Sequence, residues 1–226
     1  YRCQASAAGN GCGPATSTSA ALTVVADPSV TSQTMAPTSI CVGGASTASI
    51  TVSGGTGTTY QWQYSADNVT FSNVAAGVPL GSTYGTPTAI STTINTISAA
   101  GTYYYRALVG GGSGCDAQVS TPVSLTVVAD PGSSTPAFSN GTICVGGTSN
   151  VSVTASAGTG TYTYQWQYST SLAGTYANVA NATPAGSTYT NATSATMTIA
   201  GISAAAANYY YRCIVNATGN GCTAAN

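Results

Sequence analysis

Five residues, Tyr60-Gln61-Trp62-Gln63-Tyr64, constrain this chain more than any other stretch, and they return as Tyr164-Gln165-Trp166-Gln167-Tyr168. In a strand, alternate side chains face opposite ways, so Tyr60, Trp62 and Tyr64 share one face and the two glutamines the other. The large apolar face must be covered, whereas the uncharged polar face can meet water. That pattern predicts a half-buried strand of an antiparallel sheet, present twice.

The rest of the chain repeats around this strand at an interval of a little over one hundred residues. Val24-Val25-Ala26-Asp27-Pro28 returns as Val127-Val128-Ala129-Asp130-Pro131, and Ile40-Cys41-Val42-Gly43-Gly44 as Ile143-Cys144-Val145-Gly146-Gly147. The interval changes only where Gly, Ser, Asn and Thr cluster, as expected for folded repeats whose loops vary in length. We therefore expect residues 1–26 to be the last two strands of one repeat. Residues 27–129 are expected to form a whole repeat, and residues 130–226 another that lacks its final strand. In the whole repeat, strands are predicted at about 38–42, 46–53, 58–65, 69–74, 88–97, 101–109 and 117–128. No segment has helical periodicity, and the short alanine runs cannot nucleate a helix. Seven short strands in about one hundred residues predict a two-sheet β-sandwich. Inward positions include Ala48, Ile50 and Val52, with Tyr103, Tyr105 and Ala107 on a later strand. Tyr104 and Arg106 point the other way.

Charge separates this chain from most globular proteins. It has no Lys, Glu or His, and charged residues make up 3% of it, with a net charge of −1. Such a surface has no field to attract nucleic acid or an anionic membrane. Catalysis lacks its usual inventory, because no His or Lys is present to activate a nucleophile. The four carboxylates are scattered: Asp27 and Asp130 precede prolines at the repeat junctions, and Asp67 lies in a turn. No cofactor is expected. With one carboxylate at each junction and no CxxC or His, calcium and zinc sites are not expected either. Six Asn-x-Ser/Thr sequences, at Asn68, Asn140, Asn150, Asn181, Asn191 and Asn216, are near the number that so Ser/Thr-rich a chain gives by chance. No apolar run approaches the roughly 20 residues of a membrane helix. The opening residues Tyr1-Arg2-Cys3 match the interior of a repeat, so the chain is expected to be a piece of something longer.

Trp62 on a third strand and Tyr103 entering a late strand resemble the immunoglobulin-like fold, as do Trp166 and Tyr209. In that family a Trp packs between the sheets and a Tyr closes a corner. The fold expectation is thus all-β, tandem immunoglobulin-like antiparallel β-sandwich repeats. The inter-sheet Cys pair of that family is absent, since its positions fall near Ile50 and Tyr105.

Seven cysteines point to an oxidising compartment. The whole repeat contains only Cys41 and Cys115, so an internal disulfide there would join those two. By position, Cys144 would then pair with Cys222, and Cys12 with a cysteine upstream. Cys3 and Cys213 occupy the place of Ala107 and are expected to be buried thiols. A bridge between Cys213 and Cys222, leaving Cys144 free, is the alternative.

If the third, sixth and seventh strands share a sheet, one outer face displays Gln61, Gln63, Tyr104 and Arg106. In the next copy it displays Gln165, Gln167, Tyr210 and Arg212. This face is the candidate binding surface for glycans or a neighbouring chain. The plainer alternative is a solvated sheet face with cross-strand packing.

The complete motif order resembles the tandem immunoglobulin-like repeats of very large cell-surface adhesins and filament proteins of the Bacteroidota. It runs Ile-Cys-Val-Gly-Gly, Tyr-Gln-Trp-Gln-Tyr-Ser, Gly-Thr-Tyr-Tyr-Tyr-Arg, Gly-Cys, then Leu-Thr-Val-Val-Ala-Asp-Pro. The resemblance implies an extracellular location at the cell surface and a role as stalk or adhesive fibre. Its partners would be neighbouring repeats, copies of the same protein, or surface glycans. A filament subunit joined by strand donation, and a glycan-binding module, are the alternatives.

Overall fold

The computed structural model describes residues 1–112 and 114–225. A short hairpin comes first, β1 (Gln4–Ala5) with β2 (Ala15–Thr16), and every residue before Pro28 is exposed. Cys3 is exposed with the rest, contrary to the expectation of a buried thiol, because among the described residues no second sheet covers this hairpin.

A first sandwich follows. Its strands are β3 (Ser29–Ala36), β4 (Ser39–Cys41), β5 (Ala45–Ser53), β6 (Thr59–Ser65), β7 (Ser72–Asn73), β8 (Thr83–Tyr84), β9 (Ser91–Asn95), β10 (Gly101–Gly110), β11 (Gln118–Val119) and β12 (Val123–Val128). One sheet has the order β3-β5-β9-β8, the other β4-β12-β10-β6-β7 with β11 also on β10. All pairs are antiparallel except β12 with β4. The chain crosses from one sheet to the other at Pro37, between β3 and β4. This is the immunoglobulin-like arrangement, in which the strand bearing the Trp lies beside the strand bearing the corner Tyr.

The buried faces are those that alternation predicts. Trp62, Tyr105, Ala107, Ile94, Ile97 and Leu125 are fully enclosed between the sheets, with Tyr60 and Tyr64 packed against them. The Trp62 indole donates to the carbonyl of Ala89 at 3.0 Å, which satisfies its one polar atom in the core. Tyr103 donates to the carbonyl of Ala99, four residues back, at 2.9 Å, closing the expected corner.

β3 has no counterpart among the predicted strands. Its sequence is largely polar, and its register slips between Val30 and Ser32, so the period-two signal is broken where it would be read.

The second sandwich consists of β13 (Gly132–Ser133), β14 (Ala137–Phe138), β15 (Thr148–Ser152), β16 (Ala155–Ser156), β17 (Tyr162–Ser169), β18 (Ala177–Asn178), β19 (Thr188–Thr190), β20 (Thr196–Ala200) and β21 (Tyr210–Ala217). Its sheets are β14-β15-β20-β19 and β18-β17-β21, with the pair β13-β16 beside them. Trp166 is again enclosed, with Val151, Val153, Met197, Ile199, Cys213 and Val215. Cys213 is a buried thiol at the position of Ala107, as parity predicted.

The fold rests on filling the space between sheets with one large side chain per unit. Trp62→Ala is expected to cost about 3–5 kcal/mol, the usual penalty for emptying an aromatic site in a packed core. Urea unfolding of the full chain followed by circular dichroism measures it. Tyr104→Ala, half-buried on the outer face, should move the same transition by under about 1 kcal/mol.

Candidate functional site

Among the described residues, two places bring chemistry-bearing side chains together. The first is the outer face of β6, β10 and β7. Arg106 Nε donates to Gln63 Oε1 at 2.9 Å, and Gln63 Nε2 donates to Asn73 Oδ1 at 3.2 Å. The Arg106 guanidinium lies 4.0 Å from the centre of the Phe71 ring. The second unit repeats this relay. Arg212 Nε donates to Gln167 Oε1 at 2.8 Å, Gln167 Nε2 to Asn178 Oδ1 at 3.0 Å, and Arg212 stacks on Tyr176 at 4.5 Å. Gln61 and Gln165 each turn back to the carbonyl of the following Trp, at 2.8 and 3.0 Å. Tyr104 and Tyr210 are half-buried beside these groups.

Within this face the arginine Nε atoms and the glutamine amides are thus engaged with neighbouring groups of the same chain. Phe71 and Tyr176, which cap the arginines, were missed. Their signal was available in the repeat of Phe71-Ser72-Asn73-Val74 as Tyr176-Ala177-Asn178-Val179.

The second place is the contact between the two sandwiches. Cys41 is bonded to Cys222, 181 residues away, with their Cα atoms 4.9 Å apart. This replaces the pairings Cys41–Cys115 and Cys144–Cys222, and the alternative Cys213–Cys222. Cys115, Cys144 and Cys213 are free thiols. The reason lies in which end of the sandwich each cysteine occupies. Cys41 closes β4, where it is paired in register with Val128, the last residue of β12. Cys115 follows β10 at the opposite end. The ten residues of β10 separate those ends by about 30 Å at ~3.3 Å per residue, far beyond the ~7 Å limit for a disulfide.

A short spatial circuit carries Cys222 to Cys41. The chain leaves β12 beside Cys41 and enters the second unit through Ala129-Asp130-Pro131. There Asp130 accepts two hydrogen bonds from Thr223, from its backbone N–H at 3.0 Å and from its hydroxyl at 2.6 Å. Thr223 follows Cys222, so the junction carboxylate holds the cysteine loop against the junction. Asp27 plays the same part in the first unit, accepting from the backbone N–H of Asp116, the residue after Cys115, at 3.0 Å. The sequence placed these two aspartates only before the prolines of the repeat junctions.

The loops meet backbone to backbone. The N–H of Cys41 donates to the Asn220 carbonyl at 2.9 Å, and the N–H of Ala45 donates to Asn220 Oδ1 at 2.6 Å. A Cβ on Gly44 would stand 2.6 Å from the Asn220 carbonyl oxygen, and one on Gly221 would collide with the Gly44 backbone. Gly221 also has φ near +79°, so glycine is required there on two counts.

Burial pushes the phenols of Tyr105 and Tyr211 well above their ordinary range and raises the Cys213 thiol. None of these groups is poised to exchange protons near neutrality. Among the described residues, no three His, Cys, Asp or Glu side chains cluster to hold a metal ion. No helix there is long and apolar enough to cross a membrane.

The chain is thus a tandem of immunoglobulin-like β-sandwiches. Residues 30–129 match a family model described as "Domain of unknown function (DUF8696)". The chain matches no curated protein. Among solved structures it is similar to domains A168–A170 of titin, at 16% identity and a TM-score of 0.47, over 96% of this chain and 69% of that one. It is also similar to the N-terminal eight Ig domains of Down Syndrome Cell Adhesion Molecule, at 16% identity and a TM-score of 0.46, over 91% of this chain and 27% of that one. A third similarity is to three N-terminal domains of the Highly Immunogenic Outer Capsid protein of bacteriophage RB49. There the identity is 12% and the TM-score 0.45, over 84% of this chain and 62% of that one. The fold assignment rests on the strand pairing described above.

Mass-spectrometric mapping of the oxidised chain should find Cys41 linked to Cys222, with Cys115 and Cys144 open to alkylation. Hydrogen bonds to a charged group contribute roughly 1.5–3 kcal/mol each. Asp130→Ala should accordingly lower the bridged-to-reduced ratio of Cys41–Cys222 by about tenfold or more at a fixed glutathione poise.

Proposed function

We propose that this chain is a load-bearing segment of an extracellular fibre or stalk at a bacterial cell surface, with no catalytic role. The observation that carries this reading is the Cys41–Cys222 bridge, which fastens one sandwich to the next across the Ala-Asp-Pro junction. A bond placed there does little for either core, since both are filled by their own Trp and Tyr side chains. It resists separation and rotation of neighbours, which is what a fibre under tension requires. The nearly uncharged surface and scarcity of Arg and Lys suit a protein exposed to solvent and proteases. An oxidising, extracellular setting suits the disulfide. The outer face of β6 and β10 then serves as a solvated sheet surface, because its arginine and glutamines are engaged within the face.

Force spectroscopy on the full chain, held at its two ends, tests the reading. The bridge shields 181 residues from the applied force, so adding a thiol reductant should lengthen the fully extended chain by about 600 Å, at ~3.3–3.6 Å per residue. Equal extension with and without reductant would remove the mechanical role.

A second reading has one observation in its favour. A cleft of about 810 Å³, lined by Phe138, Ile143, Ile199, Ile202, Tyr209 and Tyr211 among others, lies along β21 where β12 stands in the first unit. Leu22 and Val24 are exposed in a segment, Leu22-Thr23-Val24-Val25, that repeats the Leu-Thr-Val-Val of β12. Insertion of that segment from a second copy would join subunits into a filament by strand addition. Analytical ultracentrifugation should then show concentration-dependent oligomers that Leu22→Asp with Val24→Asp abolishes. A chain that stays monomeric at high concentration refutes strand donation.

A further inference from the structure

We infer that the Cys41–Cys222 bridge is one rung of a repeating covalent ladder: Cys144 is the docking cysteine for a following repeat, and Cys115 the docking cysteine for a preceding one. The inference rests on the fibre reading and deepens it by naming the surfaces through which successive repeats are joined.

The sequence of each half of the observed joint is present elsewhere in the chain. The half contributed by the first unit is Cys41-Val42-Gly43-Gly44, and its copy is Cys144-Val145-Gly146-Gly147. Both loops form the same turn. Gly44 donates to the Cys41 carbonyl at 3.0 Å and Gly147 to the Cys144 carbonyl at 2.8 Å, while Gly43 and Gly146 donate to Ile97 and Ile202 at 2.9 and 2.8 Å. Cys144 stands exposed on this turn as a thiol.

The half contributed by the second unit is Gly219-Asn220-Gly221-Cys222, and it recurs as Gly112-Ser113-Gly114-Cys115 and Gly9-Asn10-Gly11-Cys12. The cysteine N–H donates three residues back in all three loops, to Gly219, Gly112 and Gly9, at 3.3, 3.2 and 3.3 Å. The first unit also anchors its loop as the second does. Gly112 donates to Thr56 at 2.9 Å and Gly219 to Thr159 at 2.7 Å, while Asp27 and Asp130 hold the residue after the cysteine. A half-joint that repeats these hydrogen bonds, carries a free thiol, and lies at the wrong end of its own sandwich to bond internally fits one partner: the complementary loop of an adjacent repeat.

Each rung forms by thiol–disulfide exchange. A small-molecule disulfide, such as glutathione disulfide, takes up the two electrons and two protons released by the paired thiols, leaves as two thiols, and the new S–S bond remains between repeats.

The test lengthens the full chain by duplicating residues 27–129 in tandem, with Val119→Ile in the second copy as a mass tag, and oxidises it with glutathione disulfide. Disulfide mapping should show the tagged copy's Cys115 blocked from alkylation and bonded to Cys41 of the first copy. With Cys41→Ser in the first copy alone, the tagged Cys115 should become alkylable, at least tenfold above the parent. Persistence of the bond from the second copy's Cys41 to Cys222 shows that this copy is folded. A tagged Cys115 that stays free in the parent, or stays bonded after Cys41→Ser, overturns the ladder. The unduplicated chain separates the two ideas: if it forms Cys41–Cys222 and responds to reductant under force while the new rung fails, the fibre reading stands without the ladder. If Cys41–Cys222 itself is missing, both fail.

Discussion

Each unit depends on the enclosure of one tryptophan between two sheets. Trp62 and Trp166 have no solvent exposure and donate their indole N–H to the carbonyls of Ala89 and Ser194, in the bends that lead into β9 and β20 of the facing sheets. The tyrosines pack around each indole. Tyr64 lies 5.8–6.1 Å from Tyr105 and Tyr103, and Tyr168 lies 5.9–6.1 Å from Tyr211 and Tyr209, as offset and tilted aromatic packing favours. With so few charges in the chain, ion pairs contribute almost nothing to this order. Hydrogen bonds from Ser, Thr, Asn, Gln and Tyr take their place at the surface.

The joint follows from the same economy. A junction of Ala-Asp-Pro is too short to let neighbouring sandwiches drift far, yet two uncharged surfaces have little electrostatic reason to hold one orientation. The carboxylate of Asp130 fixes the loop that ends in Cys222, and the glycines let that loop approach the turn at Gly44 until backbone groups bond directly. The disulfide then makes the arrangement covalent. One sandwich is thus fastened to the next covalently, while Arg106, Gln63 and Asn73 on the outer sheet face bond to one another.

Much of this could be read from residues in order. Alternation identified the inward faces of β5, β6 and β10, parity placed Cys213 in the core, and the Gly-x-Tyr entry to β10 announced the corner at Tyr103. Each of these is a local property, recorded within one strand. What escaped were features that depend on where strands end up. β3 is an edge strand with a register slip, so its polarity hid it. Phe71 and Tyr176 cap arginines on a strand two positions away. The relay from Arg106 through Gln63 to Asn73 crosses three strands, so no single strand records it.

The cysteines mark the boundary between the two kinds of information. Sequence alone determined that the chain is a tandem of β-sandwiches, because period-two hydrophobicity and a repeated aromatic core leave no other way to bury those side chains. Which cysteines meet was decided only in three dimensions. Cys41 and Cys115 belong to one repeat, but the length of β10 holds them at opposite ends, whereas Cys222, far along the chain, is returned to Cys41 by the junction. Proximity in a sandwich is set by which end a loop occupies, and spacing along the chain does not record it.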